Sequence, residues 1–81
     1  PFNSSTHFRY EVPAAGPVRL DIYNLLGQRV RHLVAGHRSA GFHRAYWDGR
    51  DENGRAVATG LYLARLDAGS RWAVRKVIAL R

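Results

Sequence analysis

The chain has 81 residues, enough for one domain with one core and too few for two. It has no cysteine, so its stability must come from packing and hydrogen bonds without disulfides, and no apolar run approaches the roughly 20 residues a membrane helix needs. Its formal charge of +7 points toward nucleic acid, an anionic lipid surface or an acidic partner. Against this, its twelve arginines and one lysine are scattered from Arg9 to Arg81 and mostly alternate with apolar residues, as on solvated strand faces, and no basic run or base-stacking motif supports nucleic acid.

Pro1 to Ser5 reads as a linker-like start. Because the chain begins at Pro1 rather than Met, a fragment or a processed piece is expected, with any signal peptide upstream. Thr6, Phe8, Tyr10 and Val12 then alternate with His7, Arg9 and Glu11, the period-two pattern of a strand with one wet face. Pro13 to Pro17 predicts a turn. Val18, Leu20 and Ile22 alternate with Arg19, Asp21 and Tyr23 in a second strand. Asn24-Leu25-Leu26-Gly27 interrupts it, with Gly27 available for a positive φ. From Gln28 to Val34 the extended pattern resumes, but Val30 and Leu33 are three apart, which calls for either a bulge or one short helical turn. The polar, Gly-bounded stretch Ala35–Gly41 predicts a loop.

Phe42–Trp47 predicts a strand with Ala45 and Trp47 on one face and Phe42 and Tyr46 on the other. Asp48-Gly49-Arg50-Asp51-Glu52-Asn53-Gly54 follows, and Asn53-Gly54 is the strongest hairpin signal in the chain. A short Ala56–Ala58 segment, a strand over Gly60–Leu66, a turn over Asp67–Ser70 and a last strand over Arg71–Leu80 complete the pattern. About seven short antiparallel strands without a long helix predict an all-β, Ig-like β-sandwich of two sheets. Gly60-Leu61-Tyr62 opens a late strand where such sandwiches place a tyrosine whose hydroxyl bonds back to upstream backbone.

Few side chains carry chemical potential. Asp48, Asp51 and Asn53 raise a weak cation site. EF-hand spacing would put a ligand where Gly49 stands and a later Glu that is missing, so turn chemistry explains these residues better and no metal or cofactor is expected. His7, His32, His37 and His43 lack metal-ligand spacing. No carboxylate pair, nucleophile with base or phosphate-binding loop occurs in a convincing context, so catalysis is not expected. Trp47 is expected in the core. Trp72 leads the last strand on the face of Val74, Lys76, Ile78 and Leu80, where an exposed ring would suit sugar stacking. At a sheet edge that strand would offer backbone groups to a partner strand.

Several segments together resemble a known family. Pro1-Phe2-Asn3-Ser4-Ser5-Thr6 resembles the Asn-Pro-Phe-Asn-Pro-Ser-Thr opening of C-terminal sorting domains of the bacterial type IX secretion system, with Ser4 where Pro is usual. Val18-Arg19-Leu20-Asp21-Ile22-Tyr23-Asn24-Leu25-Leu26-Gly27-Gln28-Arg29-Val30 is similar to their Val-x-Leu-x-Val-Tyr-Asp-x-x-Gly-x-x-Val segment, with Asn24 for Asp. Trp47 to Arg55 and Gly60 to Leu66 resemble segments shared with FlgD-like Ig domains of flagellar hook-capping proteins. Arg75 to Arg81 is similar to the basic-then-apolar terminus of sorting domains.

The resemblance implies a transport label on a larger exported protein, often a hydrolase or adhesin. That label would be read by the type IX translocon, commonly removed by a sortase-like peptidase and sometimes exchanged for a surface anchor. It implies passage through the periplasm of a Gram-negative bacterium to the cell surface or beyond. Lys76, Val77, Ile78, Leu80 and Arg81 would be the recognition residues, and Gly27, Trp47, Asp48, Gly49, Asn53, Gly54, Gly60 and Tyr62 would define the fold. The alternatives are a structural, hook-cap-like assembly module and an accessory carbohydrate-binding module using Trp72.

Overall fold

The computed structural model describes residues 6–80. The linker-like start and Arg81 lie outside that range. Six strands form two antiparallel sheets: β1 (Thr6–Val12), β2 (Gly16–Tyr23), β3 (Arg29–Arg38), β4 (Gly41–Trp47), β5 (Gly60–Ala68) and β6 (Arg71–Ala79). β1 pairs with β4, and the larger sheet has the order β3-β2-β5-β6. The chain therefore passes between sheets after β1, after β3 and after β4, as an Ig-like sandwich requires.

Alternation decides which face goes inside. Phe8, Tyr10 and Val12 of β1 and Trp47 of β4 meet Val18, Leu20 and Ile22 of β2, Val34 of β3, Tyr62 and Ala64 of β5 and Val77 and Ala79 of β6. Among the described residues these form one core, with Ile22 and Trp47 essentially sealed from solvent. The edge of the Trp47 ring meets Tyr62, with centroids 5.6 Å apart and planes at 68°. The Tyr62 hydroxyl donates to the Ala58 carbonyl at 2.6 Å, which is the back-bond expected of a tyrosine corner.

The structure corrects the expected elements in three places. First, Ala56–Ala58 is not a strand: Ala56 forms only an isolated bridge with Arg50, so there are six described strands where about seven were expected. Second, Asn53-Gly54 does not join two strands. Its turn closes that bridge inside the long β4–β5 connection, with Gly54 at φ +81°. Third, β3 continues through the stretch expected to be a loop, because Ala35 to Arg38 pair in register with Arg19 to Gly16. Backbone pairing with a preformed neighbour outweighs the polar, Gly-containing composition there.

Of the two readings open for the three-residue spacing of Val30 and Leu33, a bulge and a short helical turn, the structure has the bulge. Leu20 and Asp21 face Val34 and His32, which skips Leu33; Ile22 and Tyr23 face Arg31 and Arg29, which skips Val30. Each bulge adds one residue to β3 and lets an out-of-phase apolar side chain pack against the core.

Candidate functional site

β6 lies at the edge of the four-stranded sheet and, among the described residues, pairs only with β5. The hairpin joining them is tight: Ala68 faces Arg71 across Gly69-Ser70, and Gly69 has φ +64°. Glycine at the first central position suits the type II′ geometry that follows the natural twist of a hairpin. Val77 and Ala79 anchor the far end of β6 in the core.

Period two turns Trp72, Val74, Lys76 and Ile78 to the outer face of the sheet, opposite Asp67, Arg65, Leu63 and Leu61 of β5. Trp72 is 64% exposed and Ile78 63%, far above what a core strand shows. Val74 and Leu61 are exposed beside them, and Leu25 projects from the β2–β3 turn. A shallow groove lined by Tyr23, Leu25, Leu63, Arg65 and Val74 runs into this strip. Leu61, Trp72, Val74 and Ile78 thus share one face, while Phe42 and Tyr46 are exposed on β4 of the other sheet. The contiguous strip marks an interaction surface more than isolated surface apolar residues would.

Polar groups on the same face are held in place. Arg65 Nε and Nη2 donate to the Asp67 carboxylate at 3.1–3.2 Å, and the Arg65 guanidinium lies 5.1 Å from the centre of the Trp72 ring. The hydrogen bond to Asp67 and that carboxylate's charge raise the Arg65 pKa above its ordinary value. Arg65 therefore stays charged and covers one face of the indole.

Next to this pair, Asp21 is the one buried charged residue among those described. Its carboxylate accepts from Arg19 Nε at 3.0 Å and from the Tyr23 hydroxyl at 3.4 Å, and it meets His32 Nδ1 from β3. Alternation had placed Asp21 on the wet face, and it does point there. Neighbouring side chains cover it, one of them brought opposite by the β3 bulge.

The β2–β3 turn and the β4–β5 connection are built by side-chain capping. Asn24 Oδ1 accepts from the Leu26 and Gln28 backbone N–H groups at 3.0 Å, and Gly27 takes φ +81°. Asp48 Oδ1 accepts from Arg31 Nη1 at 2.8 Å and from the Arg50 N–H at 3.0 Å. Asp51 Oδ1 accepts from the Asn53 and Arg55 N–H groups. The Glu52 carboxylate accepts from the His32 N–H, which ties this connection to β3. The indole N–H of Trp47 donates to the Arg50 carbonyl at 2.9 Å.

Asp48 and Asp51 thus each commit Oδ1 to an arginine or to backbone N–H groups. Among the described residues no three His, Cys, Asp or Glu side chains gather as a metal would need. His43 stacks on Tyr10 and donates to the Ser39 carbonyl, while His7 tilts against Tyr46.

Of the recognition residues expected from sequence, Lys76, Ile78 and Leu80 are exposed, Val77 is buried and Arg81 lies outside the described residues. Among the fold-defining residues, Trp47 and Gly49 are buried, Gly60 opens β5, and Gly27, Asp48, Asn53, Gly54 and Tyr62 sit in the turns and corner described above. Sequence reasoning missed the Arg65–Trp72 stack and the Asp21 cluster. Each depends on a cross-strand register that alternation alone does not supply.

No sequence match to a curated protein reaches significance. Among solved structures, the chain resembles FLGD from P. aeruginosa with a TM-score of 0.65 and 19% identity. The match covers 94% of this chain and 60% of that one, so this chain spans only part of that protein's length. The family model of the FlgD Ig-like domain matches residues 3–71, nearly everything up to the start of β6. With that match spanning β1 to β5 and a fold that agrees with it, the chain belongs to the FlgD Ig-like domain family.

Proposed function

We propose that the domain is a non-catalytic structural module that assembles its parent protein by presenting the outer face of the four-stranded sheet to another copy or another domain. The observation that carries this is the exposed strip of Trp72, Val74, Ile78 and Leu61 on one sheet face, bordered by Arg65 and Lys76. Membership of the FlgD Ig-like domain family supports it, as does the likeness of Trp47–Arg55 and Gly60–Leu66 to segments of hook-capping proteins. The test is a parent protein carrying Trp72→Ser and Val74→Ser together. Assembly should be lost while the domain stays folded; unchanged assembly would refute the proposal.

The second reading is a sorting label for type IX export, carried to the cell surface and read by the translocon. Its support is the likeness of the opening and terminal segments to sorting domains, and the edge position of β6 with Lys76, Ile78 and Leu80 exposed. A reporter fused to this domain and given an export signal, in a host with that system, should then leave the cell. Deleting residues 76–81 should trap it in the periplasm. Export that survives the deletion rejects the label and leaves the assembly module standing.

A further inference from the structure

The two sheets differ in width, and the narrower one leaves part of the wider one uncovered. On β6 the side chains of Arg71, Ala73, Arg75, Val77 and Ala79 share the inward face by alternation. Val77 and Ala79 are buried as that face requires, yet Arg71, Ala73 and Arg75 are exposed. From Arg71 to Lys76 six consecutive residues are exposed on both faces of the strand. The sandwich is therefore open along a seam between β1 and the first half of β6.

The seam holds a cavity of about 120 Å³ with a mainly apolar wall of Phe8, Tyr10, Leu20, Ala64, Leu66 and Ala73, bordered by Val74 and by the cations Arg9 of β1 and Arg75 of β6. It reaches core residues directly. β1 pairs only with β4 and β6 only with β5 among the described residues, so both strands bordering the seam present an unpaired edge to it. In an antiparallel ladder every second residue of an edge strand turns its N–H and C=O away from its partner.

Charge narrows the choice of occupant. Arg75 lines the seam and Arg71 stands two positions before Ala73 on the same inward face. Neither has an ion-pair partner among the described residues, and no acidic residue lies on β6 or lines the cavity. A strand added beside β6 would place alternate side chains opposite Arg71, Ala73 and Arg75. Complementarity then requires acid, apolar, acid at every second position, with the apolar side chain filling the cavity and the carboxylates meeting the two arginines.

We propose that the seam between β1 and β6 is completed by an extended strand of a partner polypeptide with the pattern acid-x-apolar-x-acid, which pairs with the edge of β6 over Arg71–Arg75. This rests on the assembly-module reading and adds to it a second contact, with the chemistry of the strand that fills it. It uses the inward face of β6, whereas the apolar strip described above lies on the outward face.

The test is an amide NMR titration of the chain with the synthetic peptide Ser-Glu-Thr-Leu-Thr-Glu-Ser, compared with versions carrying Lys for Glu or Ser for Leu. Saturable shifts at residues 8–10 and 71–76 are expected with the first peptide. Either control should bind about tenfold more weakly or worse, a difference of about 1.4 kcal/mol. Arg75→Glu should weaken the acidic peptide and gain binding to the Lys version. Arg75 is exposed, so the variant keeps the fold.

Absence of seam shifts, equal binding of the Lys version, or shifts confined to Trp72 and the outer face would overturn the proposal. So would concentration-dependent shifts along β6 without peptide, which would make a second copy the occupant. A seam that binds nothing, in a parent whose assembly still needs the outer face, rejects the seam alone. If the outer-face variant leaves assembly intact, it is the module reading that fails.

Discussion

Tyr62→Phe removes one oxygen and leaves the ring that packs against Trp47. The lost interaction is a 2.6 Å hydrogen bond from a buried hydroxyl to the carbonyl of Ala58, four residues upstream. A net intramolecular hydrogen bond contributes about 0.5–1.5 kcal/mol. Ala58 is exposed, so water can take over its carbonyl, and the penalty of an orphaned buried acceptor does not add. The expected loss is therefore about 1 kcal/mol, or a fall in Tm of about 4–8 °C for a domain of this size. Urea unfolding followed by Trp47 fluorescence is the assay, with an unchanged m-value showing that the native and unfolded states keep their exposed areas. A midpoint that does not move would refute the corner as a stabilising contact. A loss above about 3 kcal/mol would show that the hydroxyl positions the whole ring.

Other substitutions probe other layers. Asp21→Asn keeps the shape but removes the charge that Arg19 and His32 meet, and should cost about 2 kcal/mol in urea unfolding; half-exposed Arg19 keeps the loss below that of a fully buried pair. Gly54→Ala meets no atom within 4 Å of the new Cβ, so its cost of about 1 kcal/mol in the same assay comes from φ +81° alone. Trp72→Ala should change stability by less than about 1 kcal/mol, because it removes an exposed ring and one cation–π contact. The remaining fluorescence should be that of a buried indole, Trp47.

Most of the strands were legible because the core face and the wet face alternate cleanly, as Phe8, Tyr10 and Val12 and then Val18, Leu20 and Ile22 show. Turn chemistry was equally readable at Gly27 and at the Asp48–Gly54 loop. Pairing was not. Period two places a side chain on a face but says nothing about which residue stands opposite it, and the buried state of Asp21 comes from a bulge in β3 that shifts His32 into register. The extension of β3 through Arg38 depends on β2 lying ready as a template. The edge position of β6 could be anticipated as a condition for recognition. The exposure of its inward face could not, because it follows from one sheet being narrower than the other.

The contact surface is the central claim, and hydrogen–deuterium exchange on the parent protein tests it most directly. Among residues 71–76 the amides that point away from β5 should exchange rapidly in the unassembled parent and become protected on assembly, while β2 stays protected in both states. Equal exchange of β6 in the two states would contradict the claim.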